Sequence, residues 1–211
     1  MHIYAFGSVC RGEIDAESDI DTLVVIDGND NRFDTSIYSI YSYNRLSELW
    51  KKGNPFAWHL ASEAKIIYSS DGKDFIKNLG IPSEYRKCKE DCRKFFTLYC
   101  KAIASISSGG NSLVFEMSTI FLAMRNFATC FLLGQDKIGN FSRQAALRMG
   151  EKSVQISNKT YRLLERSRIL CIRGTGEMIQ RKEIESTLDE IISIKKWMES
   201  LLNEVETNGR I

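Results

Sequence analysis

The chain has 211 residues, of which 43% are hydrophobic and 27% charged, with a formal net charge of +2. These values fit a soluble globular protein of one large or two small domains. They exclude a strong global field pulling the chain onto nucleic acid or a membrane, so any polyanion site must be local. No apolar run approaches the length of a membrane span. The N-terminal MHIYAFGS has neither a basic n-region nor a signal-peptide core, and a cytoplasmic location is the expectation. The six cysteines form no spaced framework, which in a reducing compartment implies free thiols. Cys88 and Cys92 share an i,i+4 spacing, but no second Cys or His pair lies near enough in sequence to complete a zinc site.

Residues 1 to about 70 alternate short β-rich runs with turns. HIYAF (2–6) is a strand, and DTLVVID (21–27) is a second, ended by the turn-rich GNDNR. DTSIYSIYS (34–42), dense in β-branched and aromatic residues, reads as a third. NRLSELWKKG is a helix, with Ser42 a candidate N-cap and Gly53 a stop. NPFAWHLASEA is a further helical candidate, and KIIYSS reads as a fourth strand. SSDG and LGIPSEY close this half, and the composition changes after Pro82.

Beyond Ser83 almost everything has apolar residues at three and four spacing. Helices are expected over 84–106, 112–134, 158–174 and 181–206. SSGGNS separates the first two, and the second is apolar nearly all round, as the centre of a bundle should be. The last residues, ETNGRI, read as a frayed end. The expected architecture is therefore α+β: a small mixed-sheet domain over residues 1–80 and a bundle of four or five helices over 81–211.

The stretch GSVCRGEIDAESDID (7–21) stands apart. Gly7 and Ser8 fall at the end of the first strand, where a glycine lets backbone approach a phosphate and a hydroxyl can donate to it. Arg11 can add a charge-assisted bond, and Gly12 permits a sharp turn. Asp19 and Asp21, one residue apart, lead into TLVVI, and in a strand such residues share a face. Two carboxylates on one face make a hard oxygen site suited to Mg²⁺.

Gly-Ser, the ten residues VCRGEIDAES and then Asp-Ile-Asp resemble the signature of the minimal nucleotidyltransferases of the DNA polymerase β-like superfamily. The flanking Arg11, Gly12 and Ser18 match as well. The C-terminal helices are similar to the helical substrate domain that some of these enzymes carry. The resemblance implies transfer of a nucleoside monophosphate from an NTP, with ATP the expected donor, to a hydroxyl of a small molecule or protein, with Mg²⁺ as cofactor. It implies that Gly7, Ser8 and Arg11 bind the nucleotide together with Asp19 and Asp21, and that Asp19 and Asp21 ligate metal. A third carboxylate is needed from a neighbouring strand to complete the catalytic and metal set. Asp34, at the head of the next β-rich run, is the choice, with Asp27 and Asp30 as turn-borne competitors. A chain whose Asp34 lay in the turn would lack that acid and would bind nucleotide with little or no transfer. The family usually has a helix before the first strand, and only six residues precede Gly7. Closure of that edge by other elements or by a partner is expected, and a homodimer is one form of it.

Other polar residues have plainer readings. Glu13, Asp15 and Glu17 read as solvated loop acids beside the motif. His59 reads as a packed, half-buried histidine, and Glu63 as facing water. Glu116 lies in an apolar helix and wants a partner, which Arg125 cannot be from nine residues away. Arg125-Asn126 is similar to the Arg-polar pair of HEPN ribonucleases, but Phe131 stands where their His would be, so ribonuclease activity is rejected. The arginines of 141–173, Arg162 and Arg166 on one face among them, are interspersed with Glu151 and Glu165 and read as a solvated or internally paired face. An antitoxin-like or regulatory nucleotide-binding protein acting on a HEPN-type partner is the alternative function, and a degenerate inactive nucleotidyltransferase a third.

Overall fold

The computed structural model describes residues 1–13, 20–28, 30–109 and 112–208. The architecture is α+β, and the chain divides into two compact units, Met1–Arg86 and Lys87–Ile211.

Unit 1 is built on a four-stranded sheet of β1 (His2–Phe6), β2 (Asp21–Val25), β3 (Tyr38–Tyr41) and β4 (Lys65–Ser69), in the order β3-β2-β1-β4. β1 runs antiparallel to both its neighbours, whereas β2 and β3 are parallel. The strand period of two sends His2, Tyr4 and Phe6 to the buried face. There they meet Leu23 and Val25 of β2. α1 (Tyr43–Lys51) and α2 (Pro55–Glu63) cover this face with Leu46, Leu49, Trp50, Ala57 and Leu60. Each such apolar side chain taken from water contributes about 1.5–3 kcal/mol before entropy is charged against it.

Local chemistry fixes where the two helices begin. Ser42 accepts the Arg45 N–H at 3.1 Å, as its N-cap reading requires. Asn54 accepts from Phe56 N at 2.9 Å, and Pro55 occupies the first turn, where its missing N–H costs nothing. Gly53 has φ +59°, and a Cβ there would lie 2.3 Å from Ser83 O. The chain at 83–84 therefore passes over a position that only glycine can fill. Trp50 Nε1 donates to Gly80 O at 2.9 Å and Trp58 Nε1 to Ser83 O at 3.2 Å, fastening this segment to α1 and α2.

Two elements of unit 1 differ from the sequence expectation. The third strand spans only 38–41, because residues 34–37 form a turn. The short helix α3 (Phe75–Leu79) was not expected at all. Asp74 caps it by accepting from Lys77 N, and Tyr4 Oη, which donates to Asp74, accepts from Ile76 N at 3.0 Å. Burial pushes the Tyr4 phenol up to about 12.

Unit 2 is helical: α4 (Cys88–Ser107), α5 (Leu113–Gln135), α6 (Asn158–Arg173), α7 (Arg181–Glu185) and α8 (Leu188–Asn208). α5 is the centre, with Met117, Ile120, Met124, Phe127 and Phe131 fully buried. By length and composition α5 could cross a membrane, but 72% of its most apolar window is buried inside the fold. α4, α6 and α8 pack around it. The expected helix over 181–206 breaks between α7 and α8. Thr187 Oγ1 donates back to Ile184 O at 3.0 Å, and its N–H goes to the same carbonyl, so the turn tightens. Glu116 finds its partner in Ser105, which donates at 2.7 Å from α4. Arg125 is spent on the loop after α5, donating to Phe141 O at 2.6 Å and Ser142 O at 3.2 Å.

Candidate functional site

The motif residues sit where β1 and β2 end side by side. Phe6 pairs with Asp21 across the antiparallel ladder, so the residue after Phe6 lies beside the start of β2. Gly7 turns away at φ +80°, a left-handed conformation that costs an L side chain energy. A Cβ on Gly7 would lie 2.1 Å from Asp21 Oδ2. The Asp21 carboxylate therefore lies against bare backbone, in space that any other residue would fill. The chain next makes a 3-10 turn over Val9–Arg11, with Ser8 at its head and Gly12, φ +74°, at its end. Ser8 is buried at 9% exposure, and its carbonyl accepts from both Arg11 N and Glu13 N. This compact loop is held by its own backbone bonds, which suits it to present N–H groups without rearrangement.

Asp21 is exposed and shares its strand face with Leu23 and Val25, as the strand period requires. Ser18 and Asp19, together with Asp15 and Glu17, lie outside the described residues. Among the described residues no group of three or more His, Cys, Asp or Glu is placed to hold a metal. The donor chemistry still fits one: Asp21 offers hard oxygens at the lip of the glycine turn, and Asp19 stands two positions before it in sequence.

Asp34 does not stand on β3. It precedes the strand in a turn, exposed, and its Oδ1 accepts Ser36 N at 2.8 Å. Its carbonyl accepts from Ile37 N and Tyr38 N. The Ser36 N–H holds its carboxyl below the ordinary value. This Asx turn is what shortens the third strand. β3 itself reads YSIY and carries no acid; Ser39, opposite Leu23, is the polar residue on the face that Asp21 shares. The competitors fare no better. Asp30 is bound by Arg32 Nε at 2.9 Å, which draws its carboxyl down to about 2, and Asp27 lies in an exposed bend.

Arg11 and Glu63 depart from the residue-level expectations. Arg11 is turned onto carboxylates: Nε donates to Glu13 at 2.9 Å, and Nη1 donates to Glu63. Glu63 does not face water. Its side chain is 10% exposed, and the same Oε2 also meets His59 Nε2 at 2.9 Å. His59 packs as expected, with its ring edge-on to Phe6 at 5.5 Å. Glu63 and His59 thus tie the C-terminal turn of α2 to the glycine turn through Arg11. The i,i+4 spacing of His59 and Glu63 was visible in the sequence; the Arg11 partner, 52 positions away, was not.

A search of curated proteins finds no match to the chain. The family model of the nucleotidyltransferase domain matches residues 2–92, which takes in the whole sheet, its covering helices and the first turn of α4. Residues 2–92, the span of unit 1 and the start of α4, are thus similar to a nucleotidyltransferase domain.

Proposed function

We propose that the protein transfers a nucleoside monophosphate from an NTP, with ATP the expected donor, to a hydroxyl of a small molecule or a protein, releasing pyrophosphate. The observation that carries this reading is the seating of the Asp21 carboxylate on Gly7, in the space a Cβ would occupy. A bare glycine beside a carboxylate lets a phosphate chain approach the backbone and the acid together. Ser8 and the N–H groups at the head of the 3-10 turn would bind the triphosphate. Asp19 and Asp21 would hold Mg²⁺. When bound, that ion would neutralise phosphate charge and polarise the reacting phosphoryl group. Arg11, braced by Glu13 and Glu63, would keep the turn in shape. Catalysis on such a site is mostly positioning and charge compensation.

A second reading rests on β3. With Asp34 capping a turn and no acid on the strand, the base for the incoming hydroxyl has no evident holder among the described residues. This favours a nucleotide-binding protein with little transfer, of regulatory or antitoxin-like use. A HEPN-type partner, a homodimer and a cytoplasmic location remain proposals of the sequence.

One experiment separates the readings. The protein is incubated with α-³²P-ATP, Mg²⁺ and cell lysate as acceptor pool, beside Asp19→Ala and Asp21→Ala. Label moving to a small molecule or protein only with wild type establishes transfer. Nucleotide bound by wild type without any label transfer overturns the enzyme reading and leaves the binding one.

A further inference from the structure

In the glycine turn of unit 1 one guanidinium faces two carboxylates. Arg11 Nε donates to Glu13 Oε2 at 2.9 Å, and Nη1 donates to Glu63 Oε2. The same Glu63 oxygen meets His59 Nε2 at 2.9 Å. The ligand proposed for this turn is itself an anion, and like charges brought together disfavour one another. A triphosphate arriving here meets a cation that a carboxylate already holds.

That hold is incomplete. Arg11 and Glu63 touch through one nitrogen and one oxygen, whereas the strong form of such a pair uses two of each. Arg11 Nη2 and Glu63 Oε1 make no hydrogen bond among the described residues. Neither is among the buried side-chain atoms left without a partner, so both remain open to solvent. Separation would orphan neither group: Glu63 Oε2 keeps His59, and Arg11 Nε keeps Glu13. The heavy penalty for breaking a buried pair comes from a charge left alone, and here none is. The backbone of Arg11 is fixed by its own bond to Ser8 O, so the exchange needs only a turn of the side chain.

We propose that Glu63 is a positioning residue for the nucleotide: in the free protein it keeps Nη1 of Arg11, and a triphosphate takes that nitrogen from it. Nη1 and Nη2 then hold two oxygens of one phosphate, the bidentate form that the free protein does not make. This rests on the nucleotide-binding reading of the turn. Glu63 thereby lowers the affinity for NTP by the share of molecules in which Arg11 is latched.

ATP with Mg²⁺ is titrated calorimetrically into the full chain, as wild type, Glu63→Gln, Arg11→Gln and the double variant, and each is melted without ligand. Glu63→Gln is expected to bind ATP at least about fivefold tighter although it melts lower than wild type. The gain is expected to vanish in the Arg11→Gln background. A brace alone lowers stability and affinity together, so unchanged or weaker binding by Glu63→Gln overturns the proposal. A gain that persists without Arg11 overturns it too, because loss of a negative charge then explains it. Should either variant fold poorly by circular dichroism, the Nε–Hε resonance of Arg11 is followed in ¹⁵N-labelled wild type. A saturable shift with ATP supports the exchange, and its absence at saturation overturns it. Asp21→Ala tests the nucleotide reading separately: ATP binding lost in that variant keeps this reading whatever Glu63 does. ATP binding by neither wild type nor Glu63→Gln overturns both.

Discussion

At the residue scale the glycine turn decides most. Gly7→Ala forces a side chain into the left-handed region, which costs about 1–3 kcal/mol, and drives a methyl group into the Asp21 carboxylate. Urea unfolding should show at least that loss. The double variant with Asp21→Gly should recover the part due to the clash and not the part due to the backbone. Glu63→Ala tests the other side of the turn. It leaves Arg11, with a side chain 19% exposed, with Glu13 as its remaining carboxylate, and the loss of one partner from such a part-buried group costs about 1–3 kcal/mol. Glu63→Gln, which keeps an acceptor, should cost less than half as much in the same measurement. The placement of Gly7, Ser8 and Asp21 at the end of β1 and the start of β2 was legible because it depends on neighbours in sequence and on one strand pairing. The role of Glu63 was not. A glutamate at the end of an amphipathic helix carries no local mark of an arginine held on a distant loop.

Elements were legible where caps and period agreed, and illegible where a side chain outcompeted the ladder. Ser42 announced α1 correctly, and α2 fills the helical candidate NPFAWHLASEA. The run DTSIYSIYS has strong β propensity throughout, yet Asp34 takes the Ser36 N–H into an Asx turn and the strand starts four residues late. This makes Asp34→Ala informative. If Asp34 serves the turn, label transfer should stay within about threefold of wild type, while Asp21→Ala lowers it about a hundredfold or more. Loss from Asp34→Ala equal to that from Asp21→Ala would restore Asp34 as the third acid. The turn after β4 offers a pH test of similar logic. Asp71 accepts from Lys73 N at 3.0 Å, Ser69 Oγ at 2.8 Å and His2 Nε2 at 3.1 Å, and these bonds draw its carboxyl down to about 2. A carboxyl depressed in the folded state stabilises above its unfolded value of ~3.9 and loses that contribution as the pH falls toward 2. Acid unfolding followed between pH 4 and 2 should therefore be shallower in Asp71→Asn than in wild type.

At the scale of the whole molecule, the change of composition after Pro82 marked the passage from sheet to helices, because a mixed sheet and a helical bundle bury their apolar residues on different periods. The break between α7 and α8 was not marked, since Thr187 interrupts an otherwise unbroken helical pattern. Each unit has a core of its own. That of unit 1 is drawn from residues between Tyr4 and Ile76, and that of unit 2 centres on α5. The thiols make the second core measurable. Cys88, Cys92 and Cys130 are buried, and the neighbouring Cys88 thiol together with burial pushes Cys92 far above its ordinary value, so in the fold it is not a thiolate. Cys171 is exposed and should react with a thiol reagent at once, whereas the buried three should react only as unit 2 opens. Phe131, fully buried on α5 beneath the Lys152 ammonium at 5.0 Å, is the residue to loosen. Phe131→Ala should cost about 3–5 kcal/mol and speed the release of the buried thiols in proportion. Nucleotide binding by unit 1, measured on the same sample, should be unchanged at temperatures where unit 2 is still folded. A matching loss of nucleotide affinity there would instead make the helical unit a working part of the nucleotide site.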